Sequence, residues 1–202
     1  MVTKRRPTAL VIYGLIAVAL VGGWTAYLDP AWADLRYRAA FVDFQEARRR
    51  LEDLATAEWQ DRVLGLSARR DAVEAAAIHI DACEVVSGLG STIQKSVERL
   101  ESVGAALRTN EKRELSRQLV GAASEYANAY QASLEDFCDK ALDAVVAQMS
   151  PKPGDDVVGI RRAASGILKT ERKGAEGSAG RIQTVWKRLD ALLFKGFGPL
   201  TR

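Results

Sequence analysis

Residues 8–28, TALVIYGLIAVALVGGWTAYL, contain no charged side chain and directly follow the basic cluster Lys4-Arg5-Arg6. A helix of that length rises about 31 Å at about 1.5 Å per residue, which matches the hydrocarbon thickness of a bilayer. We therefore predict a single N-terminal transmembrane helix over residues 8–28.

The charges beside this segment predict its orientation, because cationic flanks stay on the cytoplasmic side of a membrane. Residues 1–7 are then a cytoplasmic tail, and residues 29–202 lie on the periplasmic side of an inner membrane that the chain crosses once. A cleaved signal peptide is the alternative, since Ala31-Trp32-Ala33 fits a cleavage pattern. The uncharged run exceeds the roughly 7–15 apolar residues of a signal peptide, which favours a retained anchor, and the short basic tail disfavours a mitochondrial transit peptide.

Small residues recur on consecutive turns of the predicted span, and small residues let transmembrane helices pack closely. They form a predicted membrane-packing face: Ala19, Gly22, Gly23 and Ala26. We expect this face to contact another integral membrane protein or a second copy of the chain.

Charge along the exported part argues against nucleic acid as a partner. The chain has 29 basic and 26 acidic residues, and three of the basic ones precede the span, so residues 29–202 carry no net charge. Residues 29–150 hold 15 basic and 21 acidic side chains, whereas residues 151–202 hold 11 and 5. These opposite net charges predict that the C-terminal region docks on the preceding helices or faces an anionic surface such as phospholipid.

Apolar residues recur at steps of three and four through most of residues 29–150, without the alternation typical of strands. Asp29-Pro30 is a typical helix start. Three stripes follow, over about 29–66, 67–108 and 110–150, with Asn110 as the predicted cap of the third. We predict an all-α fold in which residues 29–150 form an exported antiparallel helical bundle with a hairpin turn near residues 109–111.

Two cysteines test this hairpin. Facing residues of an antiparallel hairpin lie at equal sequence distances from its turn, and Cys83 and Cys138 are equidistant from the Asn110–Glu111 junction. We predict a disulfide between them, which an oxidising exterior would preserve. The alternative is a metal site that also uses His79, four residues from Cys83 on one helical face. A closed zinc site needs a fourth ligand, and no candidate shares that face, so we predict no metal.

The sequence lacks the groups that most enzymes need. It has one histidine and no thiol outside the predicted disulfide. Gly88-Leu89-Gly90 and the glycines from Gly174 to Gly180 follow no predicted strand and lack the residues of a phosphate-binding loop. We expect neither catalytic activity nor a cofactor.

Pro151-Lys152-Pro153-Gly154 marks the boundary of a basic C-terminal region, residues 151–202. The pattern predicts a short helix from Asp155 to about Lys173, a glycine connector, and a last helix over about residues 178–195. The last helix is a candidate interaction helix, with apolar and basic positions that include Trp186, Leu189, Leu193, Phe194, Lys187 and Arg188. It can lie on a membrane, bind another protein, or pack on the acidic hairpin.

Together these features are typical of a non-enzymatic, single-span accessory or scaffold subunit of a larger inner-membrane assembly, which docks through its periplasmic bundle. Expected partners are the lipid bilayer and either other integral membrane subunits or copies of the same chain. The alternatives are an envelope-bridging helical protein, similar in layout to phage spanins or to coiled-coil division proteins, and a ligand-sensing bundle. An envelope bridge predicts an extended rod, whereas the cross-linked hairpin predicts a compact body.

Overall fold

The computed structural model describes residues 18, 21–22, 29–54, 59, 63, 72–149, 154 and 156–193, and these residues are helical apart from short turns. The described part of the chain contains four long helices: α1 (Asp29–Leu54), α2 (Ala72–Ala105), α3 (Asn110–Met149) and α4 (Val157–Leu193). The predicted all-α class is confirmed. Helix α3, with 40 residues, is about 60 Å long at 1.5 Å per residue.

Each helix runs antiparallel to the next one along the chain. The ion pair between Arg99 and Asp43 joins α2 to α1, and Arg181 pairs with Glu125 between α4 and α3. The chain closes on itself where Trp186 of α4 stacks on Phe41 of α1, with ring centroids 3.6 Å apart. Within the described residues, the result is an up-down-up-down four-helix bundle.

The core contains the apolar stripes of all four helices. Its largest fully buried side chains are Tyr37, Phe44, Leu51, Ile93, Leu100, Leu107, Leu119, Tyr126, Leu134, Phe137, Ile182 and Leu189. Most of these positions are seven or eight residues apart, which is two helical turns, so they lie on one face of each helix; this explains why the spacing in the sequence predicts the buried side.

The hairpin turn lies at residues 106–109, slightly before the predicted residues 109–111, and its capping also differs from the prediction. Helix α2 ends with the backbone bonds from Ala106 to Val103 and from Leu107 to Gly104, both 3.2 Å. The hydroxyl of Thr109, rather than Asn110, then accepts the amide of Lys112 at 3.2 Å and caps α3.

The predicted glycine connector in the C-terminal region is wrong. Helix α4 runs without interruption from Val157 to Leu193, through Gly174, Gly177 and Gly180. Each glycine costs a helix about 1 kcal/mol relative to alanine. Burial of a large aliphatic side chain returns about 1.5–3 kcal/mol, and Ile182, Leu189 and Leu193 are all at most 1% exposed. Packing therefore outweighs the glycine penalty.

The start of α4 matches the sequence prediction. Gly154 has a positive φ of 102°, which turns the chain after the proline pair. The Asp156 carboxylate then accepts the amide of Gly159 at 2.9 Å and caps the helix.

Candidate functional site

The outer face of α1 carries a stripe of exposed apolar side chains at its N-terminal half. Trp32, Leu35 and Val42 are 61%, 47% and 59% exposed, and Ala39 lies exposed between them. Their spacing of three, four and three residues places them on one side of the helix. We call these four residues the α1 stripe. Contiguous exposed apolar surface of this kind is typical of an interaction site.

The opposite side of the same helix segment is held firmly to the bundle. Lys112 at the start of α3 binds Asp34 with 2.6 Å between Nζ and Oδ2, and both side chains are less than 15% exposed. Burial raises the pKa of Asp34, although the hydrogen bond and the charge of Lys112 oppose the shift. This ion pair fixes the rotation of α1 and so keeps the stripe facing outward.

Contacts with α4 reinforce that orientation. Arg38 pairs with Asp190 at 3.6 Å, one turn from the Phe41–Trp186 stack. The α1 stripe is therefore presented by a helix that is anchored on its inner side to both α3 and α4.

The candidate interaction helix has its apolar side inside the bundle. Leu189 and Leu193 are buried, and Trp186 is half-buried against Phe41. Lys187 and Arg188 are exposed, and Phe194 lies outside the described residues. The sequence allowed three placements of this helix, and the structure shows it packed on the hairpin. The Arg181–Glu125 ion pair is consistent with the opposite net charges of the two regions.

The predicted disulfide is confirmed: Cys83 of α2 is bonded to Cys138 of α3, with Cα atoms 6.0 Å apart. His79 is buried beside it, its Nε2 donating to the carbonyl of Cys138 at 3.1 Å and lying 3.7 Å from the sulfur of Cys83. Burial lowers the pKa of His79, and the hydrogen bond only partly offsets this.

The bonded sulfurs are not available as thiolate ligands. No group of three or more histidine, cysteine, aspartate or glutamate side chains that could hold a metal ion occurs within the described ranges.

A polar cluster that the sequence reasoning missed joins α1 to α3. Glu52 accepts hydrogen bonds from Arg48 at 2.9 Å and from the hydroxyl of Tyr126 at 2.6 Å. The Arg48 guanidinium also lies 4.8 Å from the centre of the Tyr126 ring. Burial and the Glu52 charge both raise the pKa of Tyr126. These polar groups satisfy one another, so the cluster is an internal brace. The four-residue spacing of Arg48 and Glu52 was the only sequence signal for it.

The predicted span falls mostly outside the described residues. Of the membrane-packing face, only Gly22 is described, and it is exposed, while Ala19, Gly23 and Ala26 lie outside the described residues. In the parts of the chain that the structure describes, no helix is both long enough and apolar enough to cross a bilayer.

Comparisons with known proteins provide no relative. No protein-family model matches the chain, and no curated protein or solved structure matches it significantly.

Proposed function

We propose that this chain is a non-enzymatic subunit, anchored in the inner membrane by residues 8–28, that docks onto another integral membrane protein through the α1 stripe. The observation that carries the proposal is the stripe itself, which is the longest run of exposed large apolar side chains on any described helix. It begins four residues after the uncharged segment ends.

The position of the stripe favours a partner that also crosses the membrane. Trp24 and Leu28 precede Trp32 at spacings of four residues in the sequence, so the apolar pattern of the span continues into the stripe. A helix of the partner that leaves the bilayer beside residues 8–28 would therefore contact Trp32, Leu35 and Val42 in turn. An apolar helix face of this kind suits helix-on-helix docking.

The rigidity of the bundle supports a scaffold rather than an envelope-bridging rod. A disulfide joins α2 to α3, and ion pairs join α1 to α3 and α4 through Asp34–Lys112 and Arg38–Asp190. The α1 stripe lies in the half of α1 that follows the uncharged segment, so the bundle would present it as a fixed surface close to the membrane.

Co-purification tests the proposal directly. The full chain would be extracted from its native membranes in several mild detergents and sized under native conditions. We expect a complex with an integral membrane protein, and we expect Leu35→Asp/Val42→Asp to abolish it. Val85→Asp/Val158→Asp is the matched control, because those valines are 51% and 62% exposed on other helices.

A single species of 22 kDa in every detergent would overturn the proposal. Equal loss of the complex in the control variant would also overturn the assignment to α1. Release of the chain from membranes by alkaline carbonate would contradict the anchor.

A further inference from the structure

A cleft lies at the end of the bundle where α1 begins and where α2 turns into α3. Its volume is about 450 Å³, in the range of small-molecule sites. The side chains that matter for the argument are Asp29, Trp32, Arg36, Ser102, Arg108 and Arg113. We call this the arginine cleft.

The charge of the cleft is strongly positive, with three guanidinium groups and one carboxylate among its lining residues. Arg113 is held in place, because its guanidinium donates to the carbonyl of Leu107 at 3.0 Å and to the side chain of Asn110. Arg36 is exposed on α1. Guanidinium groups bind phosphate oxygens through short, charge-assisted hydrogen bonds that are often bidentate.

The height of the cleft above the predicted bilayer favours a phospholipid headgroup as the phosphate group that these arginines would bind. Asp29 directly follows the uncharged segment, and Arg36 lies about 10.5 Å further along the helix, at 1.5 Å per residue. Lipid headgroups occupy about 5–8 Å on each side of the hydrocarbon core. The long side chain of Arg36 can cover the distance that remains between the helix backbone and the headgroups. Trp32, 61% exposed in the cleft wall, is of the residue type enriched at this interface.

We propose that the arginine cleft binds the headgroup of an anionic phospholipid in the leaflet from which the bundle emerges. This inference rests on the membrane crossing in the proposed function. The cleft shares Trp32 with the α1 stripe, but its arginines are not part of the stripe, so variants at the arginines test the lipid site separately from the protein partner. Bound lipid would hold the α1 start and the α2–α3 turn together.

Ligand-dependent thermal stability of the full chain in detergent micelles tests the proposal. Short-chain phosphatidylglycerol is titrated in one arm, phosphatidylcholine in a second, and inorganic phosphate in a third. We expect the melting temperature to rise with phosphatidylglycerol alone, at micromolar to millimolar concentrations.

Variants then localise the site. Arg36→Gln/Arg108→Gln should raise the half-saturating concentration of phosphatidylglycerol about tenfold, as expected for the loss of one to two charged contacts. The single variant Arg36→Gln, at an exposed position, should show a smaller shift in the same direction. Arg49→Gln/Arg162→Gln removes the same charge from exposed positions outside the cleft and should bind like the wild type.

Each other result overturns the inference. An equal response to inorganic phosphate would show a free-anion site, an equal response to phosphatidylcholine would show no headgroup selectivity, and no response would show no site. Equal weakening in the control variant would show general electrostatic attraction.

Failure here is separable from failure of the docking proposal. The arginine variants should keep the co-purifying membrane protein, whereas Leu35→Asp/Val42→Asp should keep the response to phosphatidylglycerol.

Discussion

Alanine substitutions at two glycines of α4 test whether the C-terminal region is one continuous helix. Gly177 and Gly180 are exposed, and a Cβ atom at either position would have no neighbour within 4 Å. In a helix interior, alanine is more favourable than glycine by about 1 kcal/mol. Gly177→Ala/Gly180→Ala should therefore raise the free energy of unfolding by about 2 kcal/mol. For a domain of this size, that corresponds to about 4–8 °C in melting temperature.

Gly104 of α2 is the matched control, because it is also a helical glycine but is buried in the bundle. A Cβ atom there would collide with the Ser116 hydroxyl and lie 3.2 Å from Cε2 of Tyr37. The helical gain of about 1 kcal/mol is then exceeded by an overpacking cost of about 1–3 kcal/mol. Gly104→Ala should destabilise the bundle by about 1 kcal/mol.

The assay is denaturant unfolding of the full chain in micelles, followed by circular dichroism at 222 nm, a wavelength that reports helix content. No stabilisation in Gly177→Ala/Gly180→Ala would refute the reasoning, because it would mean that these glycines lie in a connector. Stabilisation by Gly104→Ala would refute the close approach of α2 and α3.

Three further predictions concern the core. Cys83→Ser/Cys138→Ser should lower the free energy of unfolding by about 4 kcal/mol, because the bond closes a loop of 55 residues; unfolding with and without reductant measures this, and an unchanged midpoint would contradict it. The pKa of His79 is lowered below its usual value of 6.5, so the unfolded chain binds more protons below about pH 6.5 and stability should fall with acidification. His79→Gln should flatten that dependence, and an unchanged slope between pH 5 and 7 would count against a buried neutral imidazole. Tyr126→Phe should cost about 1–2 kcal/mol because it removes the hydrogen bond to Glu52; an unchanged unfolding free energy would show that the bond contributes no net stability.

The helical hairpin was predictable because two independent signals agreed on one register. The apolar stripes placed the turn near residues 109–111, close to its observed position at residues 106–109, and the positions of Cys83 and Cys138 predicted the pairing that the disulfide shows. The cap was misplaced by one residue because Thr109 and Asn110 are both good capping residues, and only the position of the Thr109 hydroxyl distinguishes them.

The error in α4 came from giving local propensity more weight than packing. The buried positions Ala175, Ser178 and Ile182 continue the three-and-four spacing through the glycines, and that spacing was visible in the sequence. Gly177 and Gly180 face solvent, so they do not interrupt the contact with α3. A stripe that passes through glycines is better evidence of a helix than the glycines are of a break.

The α1 stripe and the arginine cleft could not be assigned from sequence. Apolar residues on α1 occupy both sides of the helix. The sequence spacing indicated the buried side with Tyr37 and Phe41, but only the packed bundle shows that Leu35 and Val42 stay exposed. The cleft combines residues from α1 with others some 70 positions away in the α2–α3 turn, a juxtaposition that depends on the tertiary fold.

Photo-crosslinking in native membranes tests the central claim most directly. A photoreactive amino acid would replace Leu35 in one chain and Val85 in another, because the two side chains are similarly exposed but only Leu35 belongs to the α1 stripe. The account predicts a crosslink from position 35 to an integral membrane protein and none from position 85. Crosslinks from both positions alike, or none from position 35, would contradict it.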